Sequence, residues 1–353
     1  MIWSQARILV TRTDRMGDVI LATPVLKRLR EYYPQAKISF LVREEWMPIL
    51  QYGEEVELIP YRPQLGLAEL VKTLRDRKFD AAIVLRDEAL VSRAVKKAGI
   101  PFRVGPYSTL RSFLMFNHGM LQKRSRCSKH EAEYNLDLLS RVHVPVAPPA
   151  RIPEELPRAW IHYSLEARTQ IDQWLKDHSA LGVKYWCIHP GSSGSSRYLS
   201  SGRMLEVVFE CLARLSAHPG AKLILTGGPH EGELLREIQA QAPEVLIFGG
   251  EGGLGLAALA ELYRRADAVI AHGTGPLHLA AASGTRVLAI FPPLFVLSEK
   301  RWGPLTPHRL TWLPAVDCPE KFKCRGPKCR YYDCMDRFEV AGTIEDFEKA
   351  SAR

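Results

Sequence analysis

Four short stretches of this chain carry side chains able to do chemistry, and each follows an apolar run of strand length. The first is Arg12-Thr13-Asp14-Arg15-Met16-Gly17-Asp18, where a helical pattern opens at or just after Asp18. An aspartate there can cap the helix by accepting from its open backbone N–H groups. Its other reading is a general base, taking the proton of an acceptor hydroxyl as that oxygen attacks a sugar carbon. The second stretch, His189-Pro190-Gly191-Ser192-Ser193-Gly194-Ser195-Ser196-Arg197, is a small-residue loop. Its backbone and hydroxyl donors, Ser192 and Ser193 among them, can cradle a phosphate, and Arg197 can offer a planar fork to a diphosphate. The same composition also suits a plain flexible connection. It has neither the Walker lysine nor the G-x-G-x-x-G spacing, which points away from an ATPase or a nicotinamide enzyme.

The third stretch, Leu225-Thr226-Gly227-Gly228-Pro229-His230-Glu231, puts Glu231 where it can accept from ribose hydroxyls or simply favour a helix's first turn. The fourth, Ala271-His272-Gly273-Thr274-Gly275-Pro276-Leu277-His278-Leu279, compresses strand, tight turn and helix start into a few residues. Pro276 suits a first helical turn, and the exposed N–H groups after Thr274 and Gly275, with the helix dipole, make an anion site. His278 reads as a structural histidine or as a hydrogen-bond donor to a leaving group.

The elements that must carry these stretches alternate between strand-length apolar runs and segments of helical period, the pattern of a parallel sheet covered on both faces. Strands are predicted at 7–11, 37–42, 56–60 and 79–85, with helices at 18–33, 67–77, 88–98 and 131–142. Residues 144–157 hold five prolines and little periodicity, which predicts a hinge. The alternation restarts with a helix at 165–178 and strands at 185–189, 221–226, 245–248, 267–271 and 286–291, and Thr343 can cap a last helix at 344–350. The chain of 353 residues is thus α/β with two doubly wound domains, 1–150 and 158–316, followed by a tail at 317–353. In such sheets ligands bind at the carboxyl ends of the strands, and a crevice shared by both domains is the expected site.

Composition fits a protein folded throughout, at 46% hydrophobic and 25% charged residues. The longest apolar region, 276–297, is interrupted by His278, Arg286, Pro292 and Pro293, so no spanning helix is expected. The first ten residues do not read as a secretory signal, and a cytoplasmic protein is expected. A net charge of +9 gathers at 93–97, 123–129 and 321–330, without the motifs of a nucleic-acid binder. It suits a solvated surface or an anionic partner such as a lipid headgroup or phosphorylated glycan, with Arg12, Arg15, Lys123 and Arg124 as the acceptor-side cations. Cys318, Cys324, Cys329 and Cys334 could hold a structural zinc, and read equally as reduced thiols or a disulfide.

In order along the chain, these segments resemble glycosyltransferase family 9, the lipopolysaccharide heptosyltransferase family. The resemblance rests on Ile8-Leu9-Val10 through Met16-Gly17-Asp18-Val19, on Thr23-Pro24, and on His130-Glu131 through Asn135-Leu136. It continues in His189-Pro190-Gly191 with Arg197, in Glu231, and in Thr274-Gly275-Pro276-Leu277-His278-Leu279. It implies a GT-B fold, two facing Rossmann-like domains with the C-terminal helix packing back on the first. It also implies an inverting transferase with Asp18 as base and a donor site at Ser192, Ser193, Arg197, Gly227, Glu231, Thr274, Gly275, Pro276 and His278. No metal is required, the donor is a nucleotide sugar (ADP-heptose in the family), and the acceptor is an anionic lipid-linked glycan met peripherally at the cytoplasmic face of the inner membrane. The chain departs from the family at Gly273, where an aspartate usually precedes Thr-Gly-Pro, and Arg197 stands where lysine is common. A nucleotide-sugar epimerase of the same fold and a binding protein without turnover are the alternative readings.

Overall fold

A strand buried on both faces needs an unbroken apolar run, and Ile8-Leu9-Val10 is fully buried at the centre of the first sheet. The computed structural model describes residues 3–145, 158–192, 197–251 and 253–350. The chain divides into two units, Met1–His162 and Tyr163–Arg353.

In the first unit β1 (Arg7–Thr11) lies between β2 (Lys37–Arg43) and β4 (Ala81–Val84), with β3 (Glu57–Tyr61) and β5 (Phe102–Val104) at the edges. All pairs are parallel, and Ile8 faces Ile38 on one side and Ala81 on the other. The connecting helices are α1 (Met16–Ile20), α2 (Thr23–Tyr32), α3 (Gly66–Asp76) and α4 (Ala89–Lys97). Beyond the sheet come a parallel ribbon of β6 (Pro106–Tyr107) and β7 (Met120–Leu121), the short α5 (Leu110–Met115) between them, and α6 (Glu131–Asp137).

The single helix expected at 18–33 is two helices. Pro24 lacks an N–H for the carbonyl of Ile20, and the Thr23 hydroxyl donates to that oxygen instead, at 2.7 Å. The predicted helix 131–142 likewise tightens into a 3-10 turn over Leu138–Val142. The hinge expected at 144–157 falls largely on residues 146–157, outside those described. The first unit ends later than expected because Trp160 belongs to it. The indole stacks on Tyr52 at 4.1 Å between centroids, and its backbone N–H donates to Thr23 Oγ1 at 2.8 Å.

The second unit begins with α7 (Leu165–Asp177), then alternates β8 (Tyr185–His189), α8 (Ser201–Leu215), β9 (Lys222–Gly227), α9 (Gly232–Gln241), β10 (Leu246–Gly249) and α10 (Gly255–Arg265). It continues through β11 (Ala268–His272), α11 (Gly275–Ala282), β12 (Val287–Ile290), α12 (Glu299–Trp302), β13 (Arg309–Trp312) and α13 (Val340–Lys349). The sheet order β10-β9-β8-β11-β12-β13, parallel throughout, reverses direction beside β8, as the dinucleotide-fold sheet does.

The terminal helix corrects an expectation. It was to return to the first domain, but its apolar stripe, Val340, Ile344 and Phe347, is buried in the second unit's own core with Trp186 and Val208. Residues spaced four and three apart share one helix face, and here that face is consumed by α8 and the sheet. Its cap is Glu339, whose carboxylate accepts from the Gly342 N–H at 2.9 Å, so Thr343 lies inside the helix.

Candidate active site

The first sheet reverses direction between β1 and β4, so the loops leaving those two strands border its ligand position. The loop after β1 is pinned from outside: Arg43 Nε donates to the Thr13 carbonyl at 2.9 Å, and Trp46 Nε1 to that of Asp14 at 3.0 Å. After β4, Glu88 accepts from the hydroxyls of Thr13 and Tyr61.

The candidate side chain at the β1 loop is Asp18, in the first turn of α1. Its carboxylate is gripped by Arg12, which also donates to Asp14 at 2.7 Å, Glu131 at 3.0 Å and the Asn135 side-chain Oδ1 at 3.2 Å. Arg12 and Glu131 are 2% and 1% exposed, which fixes the guanidinium plane and hence the carboxylate it holds. Arg124 donates to the same Glu131 oxygen and, at 2.9 Å, to the carbonyl of Leu85 at the end of β4. Glu131 and Asn135 meet these arginines together because they lie four apart on α6, whose start is fixed by a reciprocal cap between His130 and Glu133. Burial pushes the Asp18 carboxyl up to about 6, against the pull of Arg12 and with help from Asp14 and Glu131. Such a carboxyl is ionised at neutral pH yet more basic than an ordinary aspartate, as a general base requires.

Arg12, expected to meet an acceptor, is thus turned inward onto Asp14, Asp18, Glu131 and Asn135. Arg124 shares that inward network, while Arg15 and Lys123 are exposed. Asp14, Glu88, Glu131 and Asn135 were not singled out as site residues, although Glu131 and Asn135 carried a signal in their spacing at a helix start.

In the second unit the reversal lies between β8 and β11, with His189 beside Ala271 in register. Leaving β8, the His189 ring reaches Thr226 Oγ1 at 3.1 Å and Glu231 Oε2 at 3.3 Å, and Thr226 in turn meets the Tyr263 hydroxyl at 2.8 Å. Glu231 also accepts from the Gly228 N–H at 2.7 Å and lies under Gly191, where a Cβ would stand 1.8 Å from Oε1. The glutamate expected to meet ribose is therefore built into the floor of the loop that follows β8. Ser192 is buried, Arg197 donates to the Tyr332 carbonyl at 3.2 Å, and Ser193 lies outside the described residues.

Leaving β11, Thr274 caps α11 by position, its hydroxyl donating to the His272 carbonyl at 3.2 Å. Gly275 and Pro276 open the helix half-buried, His278 is buried in its first turn, and Gly227 ends β9 nearby in the sheet. The first N–H groups of α11 have no carbonyl within the helix to meet, which leaves them for an anion. His272, given no role of its own in the sequence, ties this corner to the other loop: its Nε2 accepts from the Leu199 N–H at 3.1 Å. Burial, with the nearby His189, drops the His272 ring to about 3, so it stays neutral.

Cys318, Cys324, Cys329 and Cys334 are free thiols. Among the described residues no group of three or more His, Cys, Asp or Glu is arranged to hold a metal ion, so the structure lends the zinc expectation no support.

The sequence profile of glycosyltransferase family 9 (heptosyltransferase) matches residues 67–328. Lipopolysaccharide heptosyltransferase 3 of Escherichia coli is 24% identical over 288 residues, 78% of this chain and 80% of that protein. Among solved structures, a glycosyl transferase family 9 protein from Veillonella parvula superposes with a TM-score of 0.76 at 22% identity, covering 89% of this chain and 87% of its own. The E. coli ADP-heptose LPS heptosyltransferase II gives the same TM-score of 0.76 at 19% identity, over 98% of this chain and 100% of its own. These likenesses establish the two-domain Rossmann-like fold of the heptosyltransferases.

Proposed function

Because the chain belongs to glycosyltransferase family 9 and is a glycosyltransferase, we propose that it moves a heptose from a nucleoside diphosphate to a hydroxyl of a lipopolysaccharide-core or related glycan, with inversion. One solved relative, heptosyltransferase II of E. coli, is named for ADP-heptose, and the same donor is assigned here. The acceptor oxygen forms a bond to the anomeric carbon while the bond from that carbon to the diphosphate oxygen breaks. Asp18 takes the acceptor proton, and the electron pair leaves with the diphosphate.

Charge on the departing diphosphate is met by Arg197 and by the N–H groups that open α11 after Thr274. This scheme calls for no divalent ion. Glu231, His189 and His272 act beneath the two loops, holding them in register rather than touching the donor. On the acceptor side, Arg15 and Lys123 supply exposed positive charge for an anionic glycan.

The observation that carries the reading is Asp18 itself: a carboxylate at the carboxyl end of the central strand, fixed by a buried arginine and raised to about 6. The experiment is transfer from labelled ADP-heptose to a core-oligosaccharide acceptor, in excess chelator, by wild type and Asp18→Ala. Full turnover by the variant removes Asp18 as the base, retention of configuration in the product removes direct displacement, and loss of wild-type turnover in chelator removes the metal-free scheme.

A further inference from the structure

Nothing in the chemistry above uses α5. Its helix exposes Leu110, Phe113 and Leu114, at spacings of three and one, with relative exposures of 85%, 53% and 66%. Leu121 on β7 adds a fourth large apolar side chain at 64%. A globular surface tolerates single apolar side chains, but several gathered on one short supersecondary unit mark an interaction face.

The unit that carries them is stiff. Thr109 and Ser112 form a reciprocal cap at the start of α5, Tyr107 stacks on Phe113 at 4.2 Å, and the Tyr107 hydroxyl donates to the Phe116 carbonyl at 3.3 Å. The side chains are therefore held outward by the fold and cannot simply collapse onto it.

The charge along this stretch of chain has one sign. Residues 89–130 contain nine lysines and arginines and no aspartate or glutamate. Of these, Lys96 reaches over the end of α5 to donate to the Leu114 carbonyl at 2.8 Å, and Lys123 is exposed two residues beyond Leu121. Asp87, which accepts from Thr109 at the start of α5, is occupied by Arg111 at 2.8 Å. An apolar ridge within a basic field complements a surface that is anionic outside and hydrocarbon beneath.

We propose that α5 and the β6–β7 ribbon form a docking wedge for an anionic lipid bilayer, with Leu110, Phe113, Leu114 and Leu121 entering the headgroup layer. The wedge runs directly into the site: two residues separate Leu121 from Arg124, which shares Glu131 with the arginine that holds Asp18. Docking there would bring the Asp18 loop to a lipid-linked acceptor, and in that respect the proposal rests on the function proposed above.

The test is sedimentation of the full chain with vesicles of phosphatidylglycerol and phosphatidylcholine, against vesicles of phosphatidylcholine alone. Wild type is expected on the anionic vesicles, at least tenfold more than on the neutral ones, with release by high salt. The double variant Phe113→Ser/Leu114→Ser is expected to lose at least tenfold of that binding while turning over a soluble, delipidated acceptor at the wild-type rate. Equal binding by wild type and variant, or no preference for anionic vesicles, would overturn the wedge. A wild-type dimer that the double variant converts to monomer, by sedimentation velocity, would also overturn it in favour of a self-interface. Vesicle binding that survives when no sugar is transferred to any acceptor leaves the wedge standing and removes the proposed function.

Discussion

The ring of Phe291 occupies the space that a side chain at position 273 would need: a Cβ built on Gly273 stands 2.5 Å from Phe291 Cε1 and 2.7 Å from Cδ1. The glycine at 273 thus shares its space with a buried aromatic that directly follows β12, and the backbone at Gly273 is not itself in the left-handed region. Gly273→Asp is expected to destabilise by about 1–3 kcal/mol through overpacking. In a Phe291→Leu background the same substitution should cost measurably less, because the two sites share one volume. Urea unfolding of the four proteins checks this, and identical costs in both backgrounds would contradict it.

A second expectation concerns stability of the first unit. Glu131, almost wholly buried, is neutralised by Arg12 and Arg124, and Arg12 also answers Asp14 and Asp18. Arg12→Ala strands these carboxylates with too few cations, and removing one partner of a buried pair costs about 3–5 kcal/mol. Glu131→Gln should cost less, since an amide oxygen still accepts from both arginines. Equal unfolding midpoints for Arg12→Ala and wild type would show that the network contributes nothing.

What sequence made legible here was whatever burial on two faces dictates. Ile8-Leu9-Val10 and Tyr185–His189 are strands because nothing polar interrupts them, and β1 and β8 fall where the apolar runs do. Asp18 was visible because it follows such a run. The site's supports were not, because they are tertiary: Glu131 lies 119 residues from Arg12, and His272 lies 73 from Leu199. The terminal helix shows the same limit, since its apolar stripe states that it packs but not on which sheet. The α5 segment was missed because its apolar residues face outward, against the pattern from which a buried helix is read.

The proposed general-base role predicts a pH profile. Asp18 accepts a proton only when ionised, so kcat/KM should fall as pH drops through about 6. Arg12 is the group that lowers this carboxyl against its burial, so Arg12→Gln should move the acidic limb upward and reduce kcat. Asp18→Asn should lose roughly 100- to 10,000-fold and show no such limb. Rates measured across pH 5 to about 9 with saturating donor decide the matter, and an unmoved limb in Arg12→Gln would assign the titration to another group.

Acid stability separates two buried groups that titrate with opposite consequences. His272 is held at about 3 by burial, below the usual 6.5, so from 6.5 downward the unfolded chain binds a proton that the folded chain refuses, and His272 erodes stability as pH falls. Asp18 runs the other way. Its folded value of about 6 exceeds the usual 3.8, so between those values the folded chain holds the extra proton and Asp18 adds stability as pH falls. His272→Gln keeps an acceptor for the Leu199 N–H but cannot titrate, so its stability should fall less than that of wild type between pH 6.5 and 4. Asp18→Asn removes the opposing contribution and should steepen the same decline. Urea midpoints at each pH measure both slopes; if the two variants change the slope in the same direction, one of the two carriers is wrongly assigned, because protons taken up on opposite sides of the folding equilibrium cannot shift it the same way.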